Sequence, residues 1–253
     1  MDRGTYGCVE DGCPLPASHA AFEEAVLHVS FMGLHYHHPR IFLTHLNATI
    51  QALRNITWKL QYEEARIPDG KVWYDGEREA MRRDPLLKRF SDARTEVTKR
   101  AGVESKSTFR SGLFKGRRMK LAMGLNLPLM MESAEELRRL RGSSFAEFIL
   151  GDDRSAIGEQ LGVERTWVVE ALSDSEVLTA CVEVVNKLGE VLWRAHARCG
   201  SSFRCEPLIC DDEDRRDVSV LLETDADPGL SNEWGWDEHV EAVRRLLSER
   251  GVG

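Results

Sequence analysis

Apolar residues from Ala17 to Leu34 recur at three- and four-residue steps, Phe22, Ala25, Val26, Val29 and Met32, the period of a helix with one buried face. Pro39 disfavours helix at His38, so the first helix stops among His35, Tyr36, His37 and His38. Those histidines read as surface groups on a loop or helix end. A long helix from about Arg40 to Ala65 follows, with Phe42, Leu46, Ile50, Leu53, Ile56 and Leu60 on one face. Ile67 to Gly70 has turn composition, and a shorter helix over Val72 to Arg82 carries Trp73, Tyr74 and Met81. Asp84-Pro85 then signals a new start, Asp84 as N-cap and Pro85 at the first helical position. Leu86, Leu87, Phe90, Ala93 and Val97 form the apolar face of this fourth helix, which fades near Gly102.

Beyond residue 105 the texture changes. Met119, Leu121, Met123 and Leu125 alternate within Thr108 to Pro128, a strand pattern with Gly112 and Gly116 as turns. The alternation puts Arg118, Lys120 and Ala122 on one face and Met119, Leu121 and Met123 on the core side. Ser133 with Glu136 fits a capping box for a helix to Leu150, and Thr166 to Leu172 reads as a short strand. A helix from Ser173 to Arg198, capped by Ser173 with Glu176, carries the stripe Val177, Cys181, Val184, Leu188, Val191 and Ala195, and Gly200 ends it. A strand over Asp217 to Glu223 and a helix over Trp236 to Ser248 complete the pattern. The expected fold is mainly α. An extension over residues 1–16 precedes an antiparallel four-helix bundle over 17–105, and a smaller α+β region occupies 106–253.

Composition changes this picture little: 42% of the 253 residues are hydrophobic and 30% charged. Met1 to Pro16 lacks a basic start and apolar run, and no apolar stretch approaches the roughly 18 residues a membrane span needs. The cytoplasm is the expected compartment. The net charge of −8 disfavours nucleic-acid binding over the whole surface, yet the charge is segregated. Arg82 to Lys120 holds 13 Lys/Arg against 4 Asp/Glu, and Glu206 to Glu249 holds 14 acids against 4 bases. Either these are two solvated faces, attracting each other within or between chains, or the first is a phosphate-facing patch. The candidate nucleic-acid contacts are Arg94, Arg110, Lys115, Arg117, Arg118 and Lys120. On the long helix a second stripe, Asn47, Gln51, Arg54, Trp58 and Gln61, lies roughly 100–130° from the apolar face. It suits a partner subunit, a ligand or RNA, or a hydrogen-bonded flank of a larger bundle.

Six cysteines invite a zinc reading through Cys8 and Cys13, and through Cys199, Cys205 and Cys210 with His196 nearby. Neither spacing gives the two tight pairs of a structural zinc site, so ordinary thiols, with no metal and no cofactor, are expected. The run Asp211 to Asp214 lacks calcium-loop spacing and reads as a solvated loop. P-loop, dinucleotide, nucleophile-elbow and zinc-protease motifs are absent.

The stretch Leu46 to Arg54, then Trp73-Tyr74, then Asp84-Pro85-Leu86 through Asp92-Ala93-Arg94, resembles a HEPN-like helical-bundle group over about residues 18–105. HEPN ribonucleases pair an Arg with a His four to six residues on, and two such motifs meet across a homodimer to cleave RNA without metal. Here Arg94 fits, but no His lies from Lys99 to Glu104, and Lys99 stands where it would fall. An amine with a pKa near 10.4 is a poor proton shuttle at neutral pH. Arg94, Glu96 and Lys99 are thus weak catalytic candidates, Arg94 being either a structural ion-pair partner or a retained phosphate contact. The resemblance implies a catalytically degenerate HEPN-like homodimer that binds RNA or a protein partner, in a defence or toxin–antitoxin setting. The alternatives are an active metal-independent endoribonuclease and a structural interaction protein without nucleic-acid binding.

Overall fold

The computed structural model describes residues 7–8, 12–100, 104–125, 128–150, 158–204, 207–208, 210–234, 236 and 240–241. In chain order these form β1 (Gly7–Cys8), α1 (Pro16–Leu34), α2 (Pro39–Glu63), α3 (Gly70–Arg83), α4 (Pro85–Arg100), β2 (Lys106–Lys115) and β3 (Arg118–Leu125). Then come α5 (Ser133–Arg141), α6 (Ser144–Leu150), β4 (Glu159–Val168), α7 (Val177–Arg198) and β5 (Phe203–Arg204). The last elements are α8 (Asp212–Ser219), β6 (Val220–Leu222), α9 (Glu223–Ala226) and α10 (Leu230–Glu233). The protein is mainly helical, with a small four-stranded sheet in its C-terminal part. Contacts divide the described residues into two units, one drawn from 1–107 and 167–215, the other from 108–166 and 216–253.

In the first unit the six apolar positions of the α2 stripe, Phe42 through Leu60, are all buried. Complete burial of such a side chain stabilises by about 1.5–3 kcal/mol. The antiparallel partner of α2 is α1, which lacks a cap of its own. Instead the buried Glu63, at the end of α2, accepts from Ala17 N and Ser18 N, each at 3.0 Å, and from Ser18 Oγ at 2.6 Å. A carboxylate there satisfies orphan N–H groups and faces the positive end of the helix dipole.

A self-contained four-helix bundle is not what forms. Val177, Cys181, Val184, Leu188, Val191 and Ala195 of α7 are buried, and α7 packs on α1, α2 and α4, so the N-terminal helices share their core with a helix from the second half of the chain. The reason is surface: α7 buries residues well beyond one narrow stripe and needs neighbours on several sides. Its start is fixed by Glu176 rather than by the Ser173 pair read from sequence. Glu176 accepts from Leu178 N at 3.0 Å, Thr179 N at 2.8 Å and Tyr36 Oη at 3.1 Å. Burial still holds its carboxyl above the usual range, because these donors only partly replace water. Fully buried Trp167 donates to Tyr36 O at 3.0 Å and stacks on Phe42 with ring centroids 4.6 Å apart.

The second unit holds the sheet, in strand order β3-β2-β4-β6, with β2/β3 and β4/β6 antiparallel. Gly116, at φ +54°, makes the predicted turn. Gly112 does not turn; it lies mid-strand, where a Cβ would meet Leu121 O at 1.9 Å. A register shift between Leu113 and Phe114 breaks the simple alternation, so Met119 packs inward but Leu121 is 48% exposed. The capping-box helix is two helices separated at Gly142 and Ser143. The predicted strands over Thr166–Leu172 and Asp217–Glu223 resolve into β4 and into α8, β6 and α9. The acidic run starts α8 instead of forming a loop: Asp211 Oδ1 accepts from Glu213 N at 2.8 Å and Asp214 N at 2.9 Å. Most of the helix expected over 236–248 lies outside the described residues.

Asp84 caps α4 as expected, accepting from Leu86 N at 2.9 Å and Leu87 N at 3.0 Å, and its other oxygen takes Lys187 Nζ of α7 at 2.6 Å. Burial opposes its ionisation, but the Lys187 and backbone hydrogen bonds outweigh that and hold the carboxyl below its ordinary value. The folded pKa lies below the unfolded one, so this stabilisation is complete above about pH 4 and vanishes as pH falls through the lower folded value. Asp84→Ala is therefore expected to lower stability by about 1–2 kcal/mol at pH 7. The deficit should shrink in urea melts repeated at progressively lower pH below 4.

Candidate functional site

Helices α2, α3, α4 and α7 leave between them a cleft of about 580 Å³, within the roughly 300–1,000 Å³ range of small-ligand pockets. Ile50, Leu53, Tyr74, Phe90, Val184 and Leu188 give it an apolar lining. Polar groups come from Thr57, Gln61 and Ser91, and charge from Arg54, Arg78, Arg82 and Lys88 against Asp92. Arg54 Nη1 donates to Thr57 Oγ1 at 2.7 Å, and Arg78 pairs with Asp75 at 2.9 Å. Arg82 and Lys88 are exposed and have no carboxylate partner among the described residues. The Tyr74 hydroxyl donates to Thr57 O at 2.7 Å; burial pushes its pKa up while Arg54 and Arg78 pull the other way. It therefore stays a neutral donor at physiological pH.

Of the polar stripe on α2, Arg54 and Gln61 line this cleft. Gln51 and Trp58 are exposed, and Lys59 Nζ sits 5.0 Å from the Trp58 ring centre. Asn47 Oδ1 is buried without a hydrogen-bond partner among the described residues. Arg94, Glu96 and Lys99 lie on α4, and their side chains fall outside the described residues.

The basic hairpin of the second unit is largely neutralised from within. Arg110 pairs with Glu164 at 3.1 Å and Lys115 with Glu159 at 3.6 Å. Arg117 pairs with Asp217 at 3.1 Å and Asp225 at 2.9 Å, and also donates to Val220 O. The acidic stretch after Glu206 thus takes one of the basic residues inside this unit. Arg118 and Lys120 remain exposed on β3, an edge strand. Fully buried Arg165 is held by the carbonyls of Met131 at 2.9 Å and Leu129 at 2.6 Å and lies over the Phe109 ring.

Returning to the first unit, Cys13 Sγ lies 3.6 Å from His19 Nδ1 and 3.4 Å from His196 Nε2. The outer nitrogen of His196 is 2.8 Å from Leu192 O, and that of His19 is 3.2 Å from Glu23 Oε1. Burial lowers the His196 pKa, so the ring is neutral at pH 7. Sequence reasoning named Cys13 and His196 but looked for tight cysteine pairs. The legible signal was the spacing Cys13-x5-His19; the third group is 183 residues from the first. Cys210 is elsewhere, 4.0 Å from Thr179 Oγ1. A second histidine group joins His28 Nδ1 to His45 Nδ1 at 3.0 Å, and burial, then His28 and His35, lower the His45 pKa.

Residues 4–215 match the protein family described as bacteriophage lambda protein ea47. The chain belongs to that family. No curated protein and no solved structure matches it. The match reaches residue 215, where the first unit also ends. It overturns the HEPN resemblance. The residues that carried that likeness are an apolar stripe, a helix start and an N-cap, which any helical assembly of this period can supply. The degenerate ribonuclease motif and the toxin–antitoxin setting lose their support with it. Among the described residues, no helix of this ea47-family chain is long and apolar enough to cross a membrane.

The pairing pattern predicts unequal consequences along the hairpin. Arg117→Ala should lower the stability of the second unit by about 1–3 kcal/mol, the worth of lost charge-assisted hydrogen bonds. Arg118→Ala and Lys120→Ala should each stay within about 0.5 kcal/mol of the parent. Urea melts followed by limited proteolysis distinguish these outcomes.

Proposed function

We propose that this ea47-family protein works by binding, and that a phosphate-bearing ligand, RNA in the first instance, enters the cleft between α2, α3, α4 and α7. The observation that carries this reading is the pair Arg82 and Lys88, exposed at a cleft with Arg54 and Arg78 and not neutralised by carboxylates among the described residues. Cations without internal partners keep their full attraction for phosphate, whereas Arg110, Lys115 and Arg117 of the hairpin have spent theirs on Glu164, Glu159, Asp217 and Asp225. Arg54 and Arg78 are pre-positioned by Thr57 and Asp75, which lowers the ordering cost of forked contacts to phosphate. Exposed Trp58, one turn beyond Arg54, offers a ring on which a base can stack. The overall acidity confines such binding to this local surface.

Filter binding of single-stranded RNA across a salt series tests the proposal. Arg82→Glu with Lys88→Glu should weaken binding roughly tenfold or more, alike across RNA sequences, and flatten the salt slope by about one unit per lost contact. Unchanged affinity and slope in the double variant, or no RNA binding by the folded parent, would refute it.

A second reading rests on Trp58 and Tyr62, one turn apart on α2 and 54% and 81% exposed. Paired large aromatics in solvent suit self-association. Light scattering would then give about twice the chain mass of 28.7 kDa, and Trp58→Ser with Tyr62→Ser would return the monomer. A parent that is monomeric at tens of micromolar counts against it.

A further inference from the structure

We infer that Cys13, His19 and His196 form a binding site for a zinc-class divalent cation. Their ligand atoms lie within 4.8 Å of one another, on three separate segments: the approach to α1, the first turn of α1 and the last turn of α7. Tetrahedral zinc, with bonds of about 2.3 Å to sulfur and about 2.05 Å to nitrogen, sets its ligand sulfur and nitrogen about 3.5 Å apart. The two sulfur–nitrogen separations here, 3.6 and 3.4 Å, bracket that value.

Proton counting points the same way. His196 places its proton on Nδ1, facing Leu192 O at 2.8 Å, which leaves a lone pair on Nε2 aimed at Cys13. Glu23 Oε1 lies 3.2 Å from His19 Nε2 without accepting a hydrogen bond from it, so the contact does not tie the His19 proton to either nitrogen, and Nδ1 is the nitrogen that faces the same sulfur. The Cys13 thiol has one hydrogen and cannot serve two nitrogens at once. A cation that displaces this proton satisfies all three groups together. The Leu192 carbonyl behind His196 is the kind of oxygen acceptor that orients a histidine ligand in zinc proteins. Phe203 stacks on His196 with centroids 4.7 Å apart and meets His19 edge-on at 5.1 Å, so both rings are fixed before metal arrives. One sulfur and two imidazole nitrogens favour zinc over magnesium or calcium, which take oxygen. Three protein ligands leave the fourth position to water.

Titration of the full chain with Co²⁺, followed by competition with Zn²⁺, tests this site. One equivalent should bind with thiolate-to-cobalt charge-transfer absorption in the near ultraviolet, and one equivalent of Zn²⁺ should abolish that band. Cys13→Ser, at a half-buried position outside the helices, should remove the band. It should weaken Zn²⁺ binding by more than the ~10–100-fold that follows loss of a group merely supporting a metal ligand. His196→Gln should weaken it comparably, and Cys210→Ser should leave both readouts unchanged. A folded parent that shows no charge-transfer band, or a folded Cys13→Ser that keeps it, would overturn the assignment. So would loss of the band in Cys210→Ser.

Discussion

Insertion of α7 among the N-terminal helices is the constraint on which the rest of the first unit depends. A helix that buries Val177, Cys181, Val184, Leu188 and Val191 along with flanking Leu178, Val185 and Leu192 cannot rest on the surface of a finished bundle. It is fixed at its start by Glu176 and Tyr36, in its middle by Lys187 and Asp84, and further on by Arg194 with Glu77 at 2.8 Å. Each polar tie joins α7 or its cap to a different N-terminal element. Partners separated by a hundred or more residues in sequence close large loops, an entropic cost that grows slowly with length and that buried apolar surface must offset.

The functional features follow from that insertion. Val184 and Leu188 supply one wall of the cleft whose cations come from α2, α3 and α4. His196, near the C-terminal end of the same helix, meets Cys13 and His19 beside Glu63, the carboxylate that caps α1. The cleft proposed for an anionic ligand and the residues proposed for a cation both include side chains of α7.

Local signals were legible where a single element determines the outcome. The α2 stripe, the Asp84-Pro85 start and the Gly116 turn are each set by the chemistry of a few neighbouring residues, and each is present. Signals that depend on distant partners were not. Nothing near Ser18 announces that Glu63 caps its helix, and nothing in Arg117 announces Asp217 and Asp225. The four-helix reading failed for the same reason: periodicity reports that a face is buried without saying against what. Metal spacing rules describe compact knuckles and do not bring Cys13 and His196 together, because these two meet only through the fold.

Thermal melting of residues 1–107 prepared alone, compared with the whole chain by circular dichroism, tests the dependence on α7 most directly. The predicted result is a helical but broad, non-cooperative transition for the fragment beside a sharp one for the whole chain, because the core faces of α1, α2 and α4 lose their cover. A sharp transition of the fragment at the midpoint of the whole chain would contradict the account.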